Sequence, residues 1–349
     1  MDRNYNLALI GFGNVNRTLA DIIHRDGAAL EKELGFSLTI TAITDLRYGS
    51  VVNPRGVDLD RALACGEGDT FANLDGGQET CNNQDVICSD IADIIVEATF
   101  TNPDDGEPGL SHVRWGLESG KSVCTTNKGP AAFAAHELAE LANKNAVRFE
   151  CEGAVMSGTP VIRLAHGPLK GVGIQGFSGI LNGTSNYVLT RMESGLTQQE
   201  AIVEAQELGY AEADPTADIG GSDVRLKVTL LANELWGTQL RAQDVPTHGI
   251  TAITEEEIKE AEANGTHWKL IGQAHRGDQG QVIASVGPQR LETRHPLSGI
   301  SGATNAVMFD TLYLGPVTIS GPGAGREETA YALISDIVAI DHFYQTQER

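Results

Sequence analysis

The sequence predicts an α/β protein of two domains. The first is a doubly wound parallel sheet, and the second is an α+β domain with a mixed or antiparallel sheet. Three observations carry this reading. Apolar runs of strand length alternate with helix-period segments up to about residue 145. A glycine turn joins the first strand to the first helix. After about residue 148 the alternation gives way to strand-like runs set among long polar segments. A chain of 349 residues also exceeds what one small core serves. The domains are placed at 1–147 and 148–320, with a C-terminal helix over about 321–349 packing back onto the first.

Each element has its own signal. Asn6–Ile10 is an apolar run, and Gly11-Phe12-Gly13-Asn14-Val15-Asn16 follows it. Leu19, Ile22, Ile23 and Leu30 then recur with helical spacing. A second strand over Leu38–Thr44 ends at Asp45. The polar, glycine-rich stretch from 50 to 85 reads as a helix plus irregular loop. Asp93–Thr99 is a buried strand, 110–120 a helix, Ser122–Thr125 a strand and 131–145 a helix. Strands alternating with helices in this way form parallel sheets. In the second domain Gly176–Leu181 reads as a strand. Thr197 with Glu200 makes a capping box that opens a helix to about 208. Another helix runs from Ser222 to about 235. The stretch 268–320 reads as several strands, with Pro288, Pro296 and Pro316 near their ends. The turn Gly321-Pro322-Gly323-Ala324-Gly325 precedes a last helix over about 327–345.

Composition narrows the function. Lys and Arg number 25 against 47 Asp and Glu, a net charge of −22. Such a surface repels phosphate backbones, so nucleic-acid partners are not expected. Lysine is scarce, as on proteins adapted to high salt, where the Debye length falls to about 3 Å at 1 M and screens self-repulsion. We therefore expect a halophilic origin. No run approaches the ~20 apolar residues that span a bilayer, and the N-terminus carries no basic, apolar leader. The five cysteines, Cys65, Cys81, Cys88, Cys124 and Cys151, lack paired spacing. A reducing cytoplasm suits them.

The chemistry begins at the first glycine turn. Gly11 permits the tight turn and Gly13 the approach of a pyrophosphate. The helix that follows offers its N–H groups to the phosphates, a Rossmann-type arrangement in which Phe12, Asn14 and Val15 take part. Asn16 stands where the fingerprint has a third glycine. Asp45, ending the second strand, suits the ribose hydroxyls of NAD. Arg47, two residues on, suits the 2′-phosphate of NADP, and the balance leans towards NADP. Thr99, the last residue of the strand Asp93–Thr99, falls at the same sheet edge. Lys128, in Thr126-Asn127-Lys128-Gly129, lies between a strand and a helix, where open sheets hold their ligands. The densest constellation runs from Glu207 to Lys227. Its loop carries Glu212, Asp214 and Asp218, and leads into a helix with Asp223 and Lys227 at i and i+4. Convergent carboxylates suit a substrate ammonium, and a lysine beside them suits proton transfer.

These residues resemble a known family. Gly179-Ile180-Leu181-Asn182-Gly183-Thr184-Ser185-Asn186-Tyr187, followed by the block from Leu208 to Lys227, is similar to the substrate signature of homoserine dehydrogenases. Thr126-Asn127-Lys128 resembles that family's asparagine–lysine turn. Glu152-Gly153-Ala154-Val155-Met156-Ser157-Gly158-Thr159-Pro160 resembles its ExxVxxGxP loop. His295-Pro296-Leu297 and the turn 321–325 also fit, so the likeness spans nearly the whole chain. The resemblance implies hydride transfer between L-homoserine and NAD(P), giving aspartate 4-semialdehyde, in threonine, methionine and isoleucine biosynthesis. It implies Lys227 and Lys128 as catalytic lysines, with Lys227 the first choice for the proton and Lys128 the alternative. Glu212, Asp218 and Asp223 would hold the substrate, with Asn182, Gly183 and Thr184, and Gly323 would lie near the cofactor. Glu152, Val155, Ser157 and Thr159 match a site for a monovalent cation, Na or K. Met156 and Ser157 stand where the family has smaller residues. A homodimer is implied, without the regulatory domain of longer members. Two other classes answer to parts of the pattern. One is an aldehyde dehydrogenase working through Cys124 or Cys151, although no histidine lies near either in sequence to activate a thiol. The other is a nicotinamide-binding sensor without activity, against which the intact lysines and carboxylates argue.

Overall fold

The structure, a computed structural model, describes residues 3–347. The outermost residues of the two predicted terminal spans, 1–2 and 348–349, lie outside the described residues. The chain forms two units. One comprises the chain up to Ala154 together with the segment from Gly325 onward, and the other is Val155–Ala324.

The first unit is built on a seven-stranded sheet. Its strands are β1 (Arg3–Ile10), β2 (Phe36–Asp45), β3 (Gly49–Val52), β4 (Gly77–Gln78), β5 (Ile94–Glu97), β6 (Ser122–Thr125) and β7 (Phe149–Glu150). Their order is β4-β3-β2-β1-β5-β6-β7. From β2 to β7 all neighbours are parallel.

The continuous apolar runs follow from burial on both faces, which period-2 alternation sorts. Leu7 and Leu9 of β1, with Ile94 and Val96 of β5, point into one layer. There they meet Leu19, Ala20 and Ile23 of the helix Asn14–Leu34, and Leu333, Ile337 and Ile340 of the helix Arg326–Gln347. Ala8 and Ile10, with Ile95, face the opposite layer of Val113 and Leu117 from the helix Gly109–Glu118 and Leu138 from the helix Lys128–Lys144. Polar contacts fix the C-terminal helix to β1. The Tyr5 hydroxyl donates to Asp341 Oδ1 at 2.8 Å, and Arg3 pairs with the same oxygen at 2.9 Å. Burial, with Asp341 as acceptor, pushes the Tyr5 phenol well above its usual range.

One expectation is corrected here. Residues 50–85 are not only helix and loop, because β3 and β4 lie in or beside this stretch and run antiparallel, making the sheet mixed. These strands are too short for periodicity to reveal. Gly49 marks the hairpin that starts them. Its φ is +87°, and a Cβ there would sit 2.1 Å from the Gln78 carbonyl oxygen.

The second unit holds a five-stranded sheet of β8 (Ile174–Ile180), β9 (Thr266–Arg276), β10 (Val282–Glu292), β11 (Thr304–Thr311) and β12 (Gly315–Pro322). The order is β10-β9-β8-β11-β12, and every neighbouring pair is antiparallel. The helix Ser222–Trp236 lies close on β9. A Cβ on Gly272 would come within 2.5 Å of Val228 and 2.6 Å of Val224. The capping box of Thr197 and Glu200 opens the helix Gln198–Glu207 as the sequence reading expects. The helix Gly183–Glu193 has no counterpart in that reading. Its buried face carries Thr184, Ser185 and Asn186, which break the apolar spacing.

Candidate active site

The strand order reverses between β1 and β5, since β2 lies on one side of β1 and the later strands on the other. Open α/β sheets take ligands at the carboxyl ends of strands at such a point. Gly11 sits there with φ +82°, and a Cβ on it would stand 2.9 Å from the Ala98 carbonyl oxygen. Gly13 is the N-cap of the helix Asn14–Leu34, with no capping side chain and open space before it. The first turn, where Asn14 is exposed, therefore keeps unfilled N–H groups, the arrangement that binds phosphates. Val15 packs against the neighbouring core, and Phe12 is buried against Phe71.

Asn16 explains its own departure from the fingerprint. It is fully buried, and its amide donates to the carbonyls of Ile10 at 3.3 Å, Gly11 at 2.8 Å and Val96 at 3.2 Å. It thereby ties the ends of β1 and β5 together, where a glycine would only let the helix approach.

Asp45 and Arg47 do not stand apart as rival selectors. One Asp45 oxygen accepts the Phe12 N–H at 2.9 Å. The other accepts the Arg47 N–H at 2.8 Å and its Nε at 3.3 Å. Asp45 is thus locked at the end of β2, while the Arg47 guanidinium lies exposed over the Tyr48 ring, 5.2 Å from its centroid.

At the ends of β5 and β6 lies a group that the sequence reading missed. Glu97 is fully buried. It accepts the N–H of Thr99 at 2.9 Å, the Thr99 hydroxyl, and the Thr125 hydroxyl at 2.6 Å. Thr125 in turn accepts the Asn127 N–H at 2.9 Å. Asn127 caps the helix that Lys128 begins, accepting from Gly129 N at 3.0 Å, and its amide donates to Phe100 O at 3.1 Å. Lys128 is half-buried at that helix start. The available signal was an acid closing an otherwise apolar strand, Ile94-Ile95-Val96-Glu97.

In the second unit the predicted constellation largely assembles. Lys227, buried, donates to the Leu181 carbonyl at 2.7 Å and to Asp223 Oδ2 at 2.8 Å. These use two of the three ammonium N–H bonds. The Asn182 amide donates to Asp218 at 2.7 Å and to Asp223 at 3.0 Å. Its oxygen accepts from Ser185 N at 2.8 Å, capping the helix that begins at Gly183. Burial pushes the Asp218 carboxyl up, against the pull of the Asn182 hydrogen bond, and the neighbouring Asp223 charge adds to the rise. The Thr184 hydroxyl donates to the Tyr210 carbonyl at 2.6 Å. A Cβ on Gly183 would meet the Ala303 carbonyl oxygen at 2.7 Å. Two carboxylates stay outside this group. Glu212 is exposed, with no side-chain hydrogen bond among the described residues. Asp214 accepts the Thr216 N–H at 3.0 Å, a turn-forming contact.

Glu152 is buried in the first unit. Val155, Ser157 and Thr159 are buried in the second. Ser157 has φ +53°, the left-handed region that favours the smaller residue of the resembling loop. The Thr159 carbonyl accepts the Val161 N–H at 2.9 Å, and its hydroxyl donates to Pro322 O at 3.1 Å. Gly323 lies against Asn305, where a Cβ would come within 2.0 Å of the amide nitrogen. Cys124 and Cys151 are both buried, with Cys124 Sγ directed at the Ile95 carbonyl at 3.8 Å. Neither presents a thiol to solvent as a nucleophile would.

A dinucleotide turn at the switch point, an acid fixed at the end of β2, and a lysine held among carboxylates define a nicotinamide-dependent oxidoreductase. Known proteins give the same answer. A family model described as homoserine dehydrogenase matches residues 160–338. An NAD(+)-dependent homoserine dehydrogenase of Pseudomonas canavaninivorans is 54% identical over 347 residues, covering 99% of this chain and 97% of that protein. The homoserine dehydrogenase of Methanocaldococcus jannaschii is 36% identical over 346 residues, covering 98% and 99%. The solved structure of a hyperthermophilic archaeal homoserine dehydrogenase in complex with NADPH superposes with a TM-score of 0.80 at 28% identity, covering 97% of this chain and 98% of that one. The chain belongs to the homoserine dehydrogenase family.

Proposed function

We propose that Lys227 is the proton-transfer group for the reversible oxidation of L-homoserine to L-aspartate 4-semialdehyde. The observation that carries this is its third N–H bond. Leu181 O and Asp223 fix the ammonium, and the remaining hydrogen suits a substrate oxygen. A bound nicotinamide would supply the hydride chemistry; Lys227 would give a proton to the aldehyde oxygen in the reducing direction and take it back in the oxidising one. Asp218, with Asp223, suits the substrate ammonium, and Asn182 keeps the two carboxylates together. Lys128 would orient the substrate oxygen, while Glu212, exposed and outside the cluster, would add negative charge on the loop that leads to Asp218.

For the cofactor, the geometry favours NAD. The Asp45 carboxylate, fixed by two backbone N–H groups, suits a ribose diol and would oppose a 2′-phosphate. Arg47 is already engaged by that acid. This reading reverses the lean of the sequence, and the 54% identical relative is named for NAD(+) use. The carbonyls of Val155, Ser157 and Thr159 would offer hard, neutral oxygens, which suit Na or K, and Glu152 is the acid that the family resemblance adds to them. Such an ion would supply local order to that loop. The exposed row Leu312-Tyr313-Leu314, at the turn between β11 and β12, supports a homodimer. The charge of −22 supports function in a salty cytoplasm, and the product suits amino-acid biosynthesis.

The test is L-homoserine-dependent reduction of NAD and of NADP by folded protein, in low and high potassium chloride. Faster turnover with NAD, rising with salt, is expected. No turnover with either cofactor in any salt would leave a nicotinamide sensor.

A further inference from the structure

A carboxylate at the end of a central strand needs a reason. Ile94, Ile95 and Val96 show what packing alone asks of β5. Burying an acid among them is costly unless every lone pair is used. Glu97 uses them. Burial pushes its carboxyl up, but His112, Thr125 and Thr99 outweigh that and hold it below the ordinary glutamate value of 4.5. His112, itself buried, brings Nδ1 to within 3.6 Å of Glu97 Oε1. A chain of contacts behind it fixes its tautomer. Cys81 Sγ donates to Asn83 Oδ1 at 3.1 Å, so the Asn83 amide faces His112 Nε2 at 2.9 Å. With Nε2 accepting, the ring hydrogen sits on Nδ1, which lies near Glu97 Oε1 but too far for a hydrogen bond, so His112 acts on the carboxylate through charge and packing.

The helix Gly109–Glu118 brings His112 in because its first residue has no side chain. A Cβ on Gly109 would stand 2.4 Å from the Asn127 amide nitrogen and 3.4 Å from Glu97 Oε1. One carboxylate thus grips two loops. Through Thr99 it holds the segment after β5, beside Gly11. Through Thr125 and Asn127 it holds the turn that presents Lys128.

We propose that Glu97, backed by His112, is a positioning residue for hydride transfer, clamping the cofactor-side loop after β5 and the Lys128 turn after β6 to a common point. Its second arm rests on the role given to Lys128 above, and its first does not. No substrate or cofactor atom need touch Glu97 for it to act, since misplacement by about an ångström costs about a hundredfold in rate.

The experiment compares Glu97→Gln, Glu97→Ala and Thr125→Val in the full-length protein. Each is read out by NADH affinity, kcat, KM for homoserine and Tm. Thr125→Val cuts only the β6 arm. It should lower kcat about tenfold while NADH affinity stays within about twofold. Glu97→Ala cuts both arms and should weaken NADH binding about tenfold as well. Glu97→Gln keeps an acceptor for Thr99 and should restore most of the NADH affinity lost in Glu97→Ala. Should Glu97→Ala prove unstable, Glu97→Asp, which withdraws the carboxylate from both loops, takes its place and should lower NADH affinity and kcat together. Folded Gln and Val variants with wild-type kcat and NADH affinity would overturn the proposal. So would losses that track Tm alone, without a split between the arms. If Lys128→Met turns over normally, the role of Lys128 fails, and the NADH affinities of the Glu97 variants still decide the first arm.

Discussion

Lys227 shows how much one buried side chain is made to do. An ammonium in a core needs acceptors, and Leu181 O with Asp223 supplies them while leaving one hydrogen. Lys227→Met, close in length but without the donor, is expected to lower kcat about a hundredfold or more with the fold intact. Steady-state kinetics beside far-UV circular dichroism will check it. Asp45 sets the second prediction. Asp45→Ser removes the charge opposing a 2′-phosphate and frees the Arg47 guanidinium, so the ratio of kcat/KM for NADP to that for NAD should rise about tenfold or more. An unchanged ratio would mean that Asp45 does not face the ribose. The Asp223–Lys227 pair was legible because spacing of four places residues on one helix face. Glu97 was not, because nothing in a single strand says which residues of two other elements will close around its last position. Glu212 and Asp214 were visible only as acids. The loop between them bends so that one faces solvent and the other forms a turn.

At the scale of elements, the first strand, glycine turn and helix are the clearest reading of the sequence, and their one irregular residue is the informative one. Asn16→Gly would restore the dinucleotide fingerprint and yet should destabilise the protein by about 2 kcal/mol, since it strips partners from buried carbonyls of both β1 and β5. Urea unfolding of the two proteins measures this, and equal midpoints would refute the account of Asn16. Helices with strong caps or a clean apolar stripe were readable, as Thr197 with Glu200 shows. The helix Gly183–Glu193 was hidden because its inward face is polar for the sake of neighbouring backbone. Asn186 there is fully buried and its amide serves the carbonyls of Ile300, Gly302 and Thr304. The strands β3 and β4 were hidden for a different reason, as their pairing is set by Gly49 and the chain around it, and neither is long enough to alternate.

For the molecule as a whole, charge is the readable property. At −22 the folded chain repels itself, and added salt relieves the strain more in the compact state than in the extended one. Tm should therefore rise from low salt to about 1 M potassium chloride, where the Debye length falls to about 3 Å. A flat or falling Tm by scanning calorimetry would argue against adaptation to salt. Topology is the property that sequence does not announce. The helix Arg326–Gln347 supplies Ala330, Leu333, Ile334, Ile337 and Ile340 to the core that β1 begins. A chain leaving the ribosome presents its nicotinamide half first and completes it last, after the whole of the other unit has been made. Nascent protein truncated before Arg326 would lack one wall of that core, so the ability to retain cofactor doubles as a record that synthesis has passed through the helix Arg326–Gln347.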